Sequence, residues 1–450
     1  MMNQAITLSD TDNVAVCLQD LSKGTVVSVA ETEITLVNDI PAKHKFALEP
    51  LGKGDKIYMY GVLVGVTKES IEKGGAVTVD NVTHQTSSYQ IRGNNQYQWN
   101  PPDTSTWEHR TFLGYHREDG QVGTANLWLI FPLVFCENRN IEVLKNAFYR
   151  VLGYEQENKY TAYLNRLVSQ MQATESTEAD PPAQTPSIFE NIDGVRFLTH
   201  QGGCGGTRED SETLCRLLAG YINNPNVAGA TVLSLGCQNA QIELFKSCLA
   251  DINPNFSKPL ILLDQQAIGE EEALMQQAIS QTLEGLMAAN KISRKPAPLS
   301  KLTIGLECGG SDGFSGISAN PALGRLSDLV VGLGGKAILS EFPELCGVEQ
   351  ELIDRITDQQ KAEKFSSLMR SYQRSAENVG SGFDMNPSPG NIKDGLITDA
   401  IKSAGAAKKG GTSPILDVLD YTEYAYTSRL SLLCTPGNDV ESTTGLAGSG

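Results

Sequence analysis

The chain has 450 residues, too long for one ordinary hydrophobic core and enough for two or three domains. Thirty-six basic against fifty-three acidic residues leave a net charge of -17, which argues against nucleic acid and anionic membranes as partners and makes any anionic substrate depend on local basic groups. No apolar run approaches the ~18–20 residues that span a bilayer, the amino terminus lacks the basic and apolar regions of a signal peptide, and nine cysteines without close pairing read as reduced thiols, so a soluble cytoplasmic protein is expected.

Residues 1–91 alternate apolar and polar positions between turn signals, as in Gly24-Thr-Val-Val-Ser-Val and Lys56-Ile-Tyr-Met-Tyr-Gly-Val-Leu-Val-Gly65. Period two over short runs is the strand pattern and predicts a small β-rich domain. Residues 92–110, polar with Pro and Trp, read as a linker. From Thr111 the pattern changes, and apolar runs at 127–135, 195–199, 230–235 and 259–264 alternate with segments of helical spacing such as 209–221. Such runs predict parallel strands buried on both faces.

The acidic, Pro-rich stretch 175–187 reads as a surface excursion of this first α/β unit, 111–300. A second α/β unit, 301–450, carries predicted strands at 302–306, 336–341 and 430–433 and one long polar helix at 350–378. Its glycine-rich segments from 379 to 412 read as loops or a lid over a substrate. A helix start is predicted at 441–447. The expected fold class is α/β, a β-rich N-terminal domain followed by two Rossmann-like, mainly parallel-sheet units.

Three loops of one type recur: His200-Gln-Gly-Gly-Cys204-Gly-Gly-Thr-Arg208-Glu-Asp210, Gly236-Cys237-Gln-Asn-Ala-Gln241 and Glu307-Cys308-Gly-Gly-Ser-Asp312. In each, a predicted strand stops at a cysteine beside glycine and a helix-capping stretch follows. Glu341-Phe-Pro-Glu344-Leu-Cys346-Gly347 belongs to the same set. Gly205 and Gly206 let backbone N–H groups approach an anion, and a helix start adds positive potential. The cysteines offer soft ligands or nucleophiles, although small cysteines at strand ends are also ordinary packing residues.

His200 is the candidate for proton transfer, because an imidazole titrates near neutral pH. A satisfied polar residue at a strand end is its plainer role. Arg208 offers a bidentate grip on a carboxylate, or an ion pair with Glu209 or Asp210. Ser315, Asn320, Asn391 and Thr412, with Asn239 of the second loop, suit a polyol, while Ser315 and Asn320 equally suit helix capping.

The run from Glu307 to Gly324, with 341–349, Asn386-Pro-Ser-Pro-Gly-Asn391, Lys409-Gly-Gly-Thr-Ser-Pro414 and Thr435-Pro-Gly-Asn-Asp439, resembles the signature of the altronate and galactarate dehydratases over nearly the whole chain. Ile40-Pro-Ala-Lys-His44-Lys and 54–65 resemble an SAF-type domain. The resemblance implies a cytoplasmic hydro-lyase of hexuronate catabolism, acting on altronate to give 2-dehydro-3-deoxy-gluconate or on the related galactarate, with sulfolactate elimination a remoter relative. It implies Fe2+ or Mn2+ as cofactor and a small anionic sugar acid as the partner, and leaves self-association into a homo-oligomer open.

Candidate metal ligands are Cys204, Cys237, Cys308 and His44, with Cys346 and His84 as further choices. Glu307 and Asp312 join His200 as candidate catalytic groups, and Glu341 and Glu344 are acids, metal ligands or hydroxyl binders. Where Ala125 stands the family usually has arginine, which implies a different preference at the distal end of the acid. The resemblance also implies a chain continuing past Gly450. A phosphate-binding regulatory protein and a noncatalytic sugar-acid binder are the competing classes, the former weakened by the absence of GxxxxGK[ST] and of a strand-linked GxGxxG.

Overall fold

The computed structural model describes residues 3–29, 32–91, 97–154, 159–171 and 188–450. The predicted excursion at 175–187 and the start of the predicted linker, 92–96, lie outside these residues. The chain forms two compact units, one of Thr111–Ala297 and one that joins Met1–Arg110 to Pro298–Ser449.

The continuous unit is built on a parallel sheet in the order Gly194–Phe197, Leu127–Pro132, Val227–Ser234, Leu260–Asp264. All eight residues of Val227–Ser234 are buried, as expected of a strand covered on both faces. One face shares a core with the helices Asn138–Leu152 and Glu271–Ala289. On the other, Phe131 meets Phe245 of helix Ile242–Ile252 edge-on, with ring centroids 6.1 Å apart.

Trp128 anchors the first face. It is fully buried, and its Nε1 donates to Thr231 Oγ1 at 3.1 Å. Glycines make room for it: a Cβ on Gly229 would stand 2.5 Å from the ring, and one on Gly285 would strike the ring as well. Gly285→Ala is therefore expected to destabilise the unit by about 1–3 kcal/mol through overpacking, against the small gain that alanine brings inside a helix. The midpoint of denaturant unfolding measures this, and an unchanged midpoint would show that the ring shifts freely.

The second unit begins with short antiparallel strands, Ala5–Ile6, Val14–Cys17, Lys45–Ala47 and Ala76–Val77 in one sheet, and Lys56–Met59, Val62–Thr67 and Val82–Thr83 in another. Its core is shared. Val14, Val16, Ala47, Ile57 and Met59 cluster with Leu396, Ile397, Ala400 and Ile401, and Thr398 Oγ1 donates to the Val64 carbonyl at 2.8 Å. The N-terminal strands bury their inner face against the helix Asp399–Ala407, so they and the C-terminal segment are one body.

The C-terminal sheet is parallel, in the order Thr303–Leu306, Lys336–Leu339, Arg429–Leu433, Ile415–Leu419. Sequence patterning misses Ile415–Leu419 because Asp417 interrupts its apolar run; in the fold that carboxylate pairs with Lys361 at 3.2 Å. The single helix predicted at 350–378 is two helices, Glu349–Arg355 and Gln359–Asn378. Between them Ile356 bridges to Ile415, and Asp358 restarts the helix by accepting from the Gln360 and Lys361 N–H groups at 2.8 and 3.4 Å. The last helix, Asp439–Ser449, begins before the predicted start. Among the described residues no helix is long and apolar enough to cross a membrane.

Candidate active site

In the second unit the carboxyl ends of three adjacent parallel strands bring acids together, the usual place for a site in an open α/β sheet. Glu307 directly follows Thr303–Leu306, Glu341 closely follows Lys336–Leu339, and Asp439 opens the helix after Arg429–Leu433. Hydroxyls lock these ends. Ser340 Oγ donates to the Leu306 carbonyl at 3.0 Å, Ser442 Oγ reaches Ser340 Oγ at 2.8 Å, and Thr435 Oγ1 accepts the Glu341 N–H at 2.9 Å. Glu341 is held at φ 67°, in the left-handed region that a non-glycine residue seldom adopts.

One oxygen from each of Glu307, Glu341 and Asp439 lies within 4.8 Å of the others. Burial, with Glu344 and Glu307 nearby, pushes the Glu341 carboxyl up to about 7 despite the Cys308 N–H and Lys409. Burial and then Asp439 raise Glu307 too, and Glu307 Oε1 is buried without a hydrogen-bond partner. Carboxylates that repel each other around an unmet acceptor form a donor set suited to a hard divalent cation.

Lys409, 2 % exposed, stands beside them. Its Nζ donates to Cys308 Sγ at 2.6 Å and lies 3.8 Å from Glu341. Burial pushes the Cys308 thiol up to about 11, so it stays protonated at neutral pH. Cys308 Sγ lies 3.9 Å from Glu344, which pairs with Lys402 at 2.7 Å. The polar seam continues to Asp399, whose carboxyl burial drives well above its ordinary value. Asp399, Cys346 and His84 again place one donor atom each within 4.8 Å. His84 and Cys346 also line a cavity of about 820 Å³ with Tyr89, Glu349, Arg370 and Gln373.

The predicted site residues divide between the two units. Glu307, Cys308, Cys346 and His84 fall on this seam. Asp312 is occupied elsewhere: it pairs with Lys43 at 2.8 Å and accepts from the Phe314 and Ser315 N–H groups at 2.9 Å. Ser315 Oγ bonds back to Asp312 at 3.1 Å, and Asn320 Nδ2 donates to the Gly405 carbonyl at 3.0 Å. His44 Nε2 meets the Lys393 carbonyl at 3.0 Å. Asn391 caps a short helix with Ser388 and donates to Ser311 O at 2.8 Å. Thr412 is exposed and bonds Asp328 at 2.9 Å.

His200, Cys204, Gly205, Gly206, Arg208, Cys237 and Asn239 lie in the continuous unit. His200 accepts the Gly202 N–H through Nδ1 at 3.2 Å, so its Nε2 is the donor to the Pro132 carbonyl at 2.8 Å. Both ring nitrogens serve the backbone, and burial lowers its pKa. Both contacts are those of a polar residue at a strand end. Arg208 is exposed at the first position of helix Arg208–Asn223, which Thr207 and Asp210 cap. Asp439 and Lys409 went unselected in the sequence reading, although each stands in a string that carries the resemblance.

Family models match the chain in three consecutive stretches: the altronate/galactarate dehydratase SAF domain over residues 3–85, the D-galactarate dehydratase/altronate hydrolase second domain over 114–290, and the D-galactarate/altronate dehydratase C-terminal domain over 299–450. An altronate dehydratase of Bacillus subtilis (strain 168) is 34% identical over 453 residues, matching all of this chain and 82% of that protein. One of Escherichia coli (strain K12) is 35% identical over 448 residues, 99% of this chain and 82% of that protein. The L-threo-forming galactarate dehydratase of Escherichia coli (strain K12) is 27% identical over 450 residues, 99% of this chain and 79% of that protein. The chain belongs to the altronate and galactarate dehydratase family of hydro-lyases.

Proposed function

We propose that the chain dehydrates D-altronate to 2-dehydro-3-deoxy-D-gluconate, with galactarate as the alternative substrate, and that Glu307, Glu341 and Asp439 hold a divalent manganese or ferrous ion. The observation that carries this is the convergence of the three carboxylates beside Lys409 at the carboxyl ends of adjacent strands. Oxygen donors favour manganese within that pair. The higher identity to the altronate dehydratases supports the choice of acid.

Dehydration takes the proton from carbon 2 and expels the neighbouring hydroxyl. When bound, the ion supplies Lewis-acid stabilisation of the enediolate. Lys409 Nζ, after releasing one proton to solvent, is the group we assign to take the carbon-2 proton, and the neutral Cys308 thiol, whose sulfur accepts from it, orients it. His200 holds the strand ends of the other unit instead. A panel of aldonic and aldaric acids, assayed for 2-keto-3-deoxy product with Mn2+ or Fe2+ added to chelator-treated protein, tests the proposal. Full activity in the metal-free enzyme, or no keto acid from any substrate, would overturn it.

The cavity beside His84, Cys346 and Asp399 favours a second reading in which that group holds the ion. Asp439→Asn and Asp399→Asn separate the two, since only the variant at the true centre loses bound manganese.

Glu341 also sets a pH dependence. With its carboxyl pushed up to about 7, a proton competes with the cation below that pH. Manganese affinity, measured by titration calorimetry, is expected to fall about tenfold per pH unit below ~7 and to level off above it. In the metal-free protein the sign is that of a raised acid: stability present below the unfolded value of ~4.3 is lost as pH rises toward 7, and the ion restores it. A flat affinity across this range would remove Glu341 from the ligand set.

A further inference from the structure

The continuous unit gathers three cysteines that the carboxylate centre does not use. Cys136 lies in the turn Phe135–Glu137 just after strand Leu127–Pro132, Cys204 follows Gly194–Phe197, and Cys237 follows Val227–Ser234. These are three adjacent strands of one parallel sheet, so the cysteines emerge at the same edge. Backbone bonds join their loops. Phe135 N–H donates to Gly202 O at 3.1 Å, and Asn239 N–H to Gly203 O and Cys204 O at 2.9 and 3.3 Å. Gly203, at φ +95°, lies so close that a side chain there would strike the Leu133 carbonyl. His200 ties the same loop to Pro132.

All three thiols are exposed, whereas Cys215 and Cys248 of the same unit are buried. The Cys136 thiol lies near enough to those of Cys204 and, more weakly, Cys237 for their charges to influence it. A helix starts shortly after each cysteine, at Asn138, Arg208 and Ile242. Burial and then Cys204 raise the Cys136 thiol, and three helix amino ends oppose this by favouring anionic sulfur in one place. Three sulfurs delivered by three separate loops can each cap a different metal atom.

We propose that Cys136, Cys204 and Cys237 form a three-thiolate site for a cubane iron–sulfur cluster, leaving one iron open to an oxygen ligand. Soft sulfur donors select iron–sulfur chemistry as the carboxylates select a hard ion, so this site is independent of the centre formed by Glu307, Glu341 and Asp439.

The test uses the full chain, incubated without oxygen with ferrous and ferric iron and sulfide and then desalted. About four iron and four acid-labile sulfide per chain are expected, with the broad visible absorption of a cluster. Cys136→Ser, Cys204→Ser and Cys237→Ser should each lose most of the sulfide and the absorption. Because these side chains are exposed, thermal melting of the metal-free variants should be unchanged and so separates ligand loss from misfolding. Cys434→Ser and Glu341→Gln should keep the cluster, the latter even if manganese binding is gone. Iron bound without sulfide, a full cluster in all three serine variants, or a Cys136–Cys204 disulfide as the sole thiol chemistry would each overturn the proposal.

Discussion

Glu341→Gln is expected to weaken manganese binding at least ~100-fold at pH 8 and to take turnover with it. The substitution keeps an oxygen that accepts the Cys308 N–H, and it keeps the volume of a side chain 1 % exposed. What it removes is one of three charges around the unmet Glu307 oxygen. Losing a ligand exceeds the 10–100-fold typical of losing a group that only orients one. Dialysis against radioactive or paramagnetic manganese reads the affinity, and far-ultraviolet circular dichroism checks the fold. A variant that binds manganese as the parent does would end the carboxylate assignment.

Lys409→Met should instead cut turnover by roughly 10²–10⁴, the range of a lost general base, with manganese binding retained at pH 8. Methionine fills the buried volume but cannot carry a proton. Because the ammonium also offsets the Glu341 charge at 3.8 Å, the variant's manganese affinity should begin to fall at a higher pH than the parent's. Exchange of the carbon-2 hydrogen with deuterated solvent is the decisive readout. Parent-like exchange with slowed dehydration would make Lys409 the acid for the departing hydroxyl, and normal rates for both would leave it a packing residue.

Much of the architecture was legible because parallel strands buried on both faces are written as unbroken apolar runs. The run 127–135 gave Leu127–Pro132 and 230–235 gave most of Val227–Ser234. Ile415–Leu419 escaped because its apolar run holds a carboxylate that only a distant lysine, Lys361, explains. The same limit applied at the site. Glycine and cysteine marked loops at the carboxyl ends of parallel strands, but not which loops share a unit. Glu307 and His200 looked alike as strand-end polar residues. Only the fold shows that one keeps a buried oxygen unmet while the other spends both nitrogens on backbone. Cys136 had no glycine-rich neighbourhood, so its meeting with Cys204 and Cys237 is a product of strand order alone.

The shared core of Val14, Ile57, Leu396 and Ile401 bears on how the chain is made. During synthesis the first hundred residues leave the ribosome with Leu396, Ile397, Ala400 and Ile401 of that cluster still untranslated. The intervening stretch Thr111–Ala297 draws a core cluster from its own residues and is free to condense first. Closing the gap afterwards costs little entropy, since that cost grows only with the logarithm of the loop and a folded insert shortens it further. Its cost is in time: the early strands remain exposed to aggregation and to chaperones until residue 400 appears, so truncation before helix Asp399–Ala407 should yield insoluble N-terminal fragments while a fragment spanning 111–297 stays in solution.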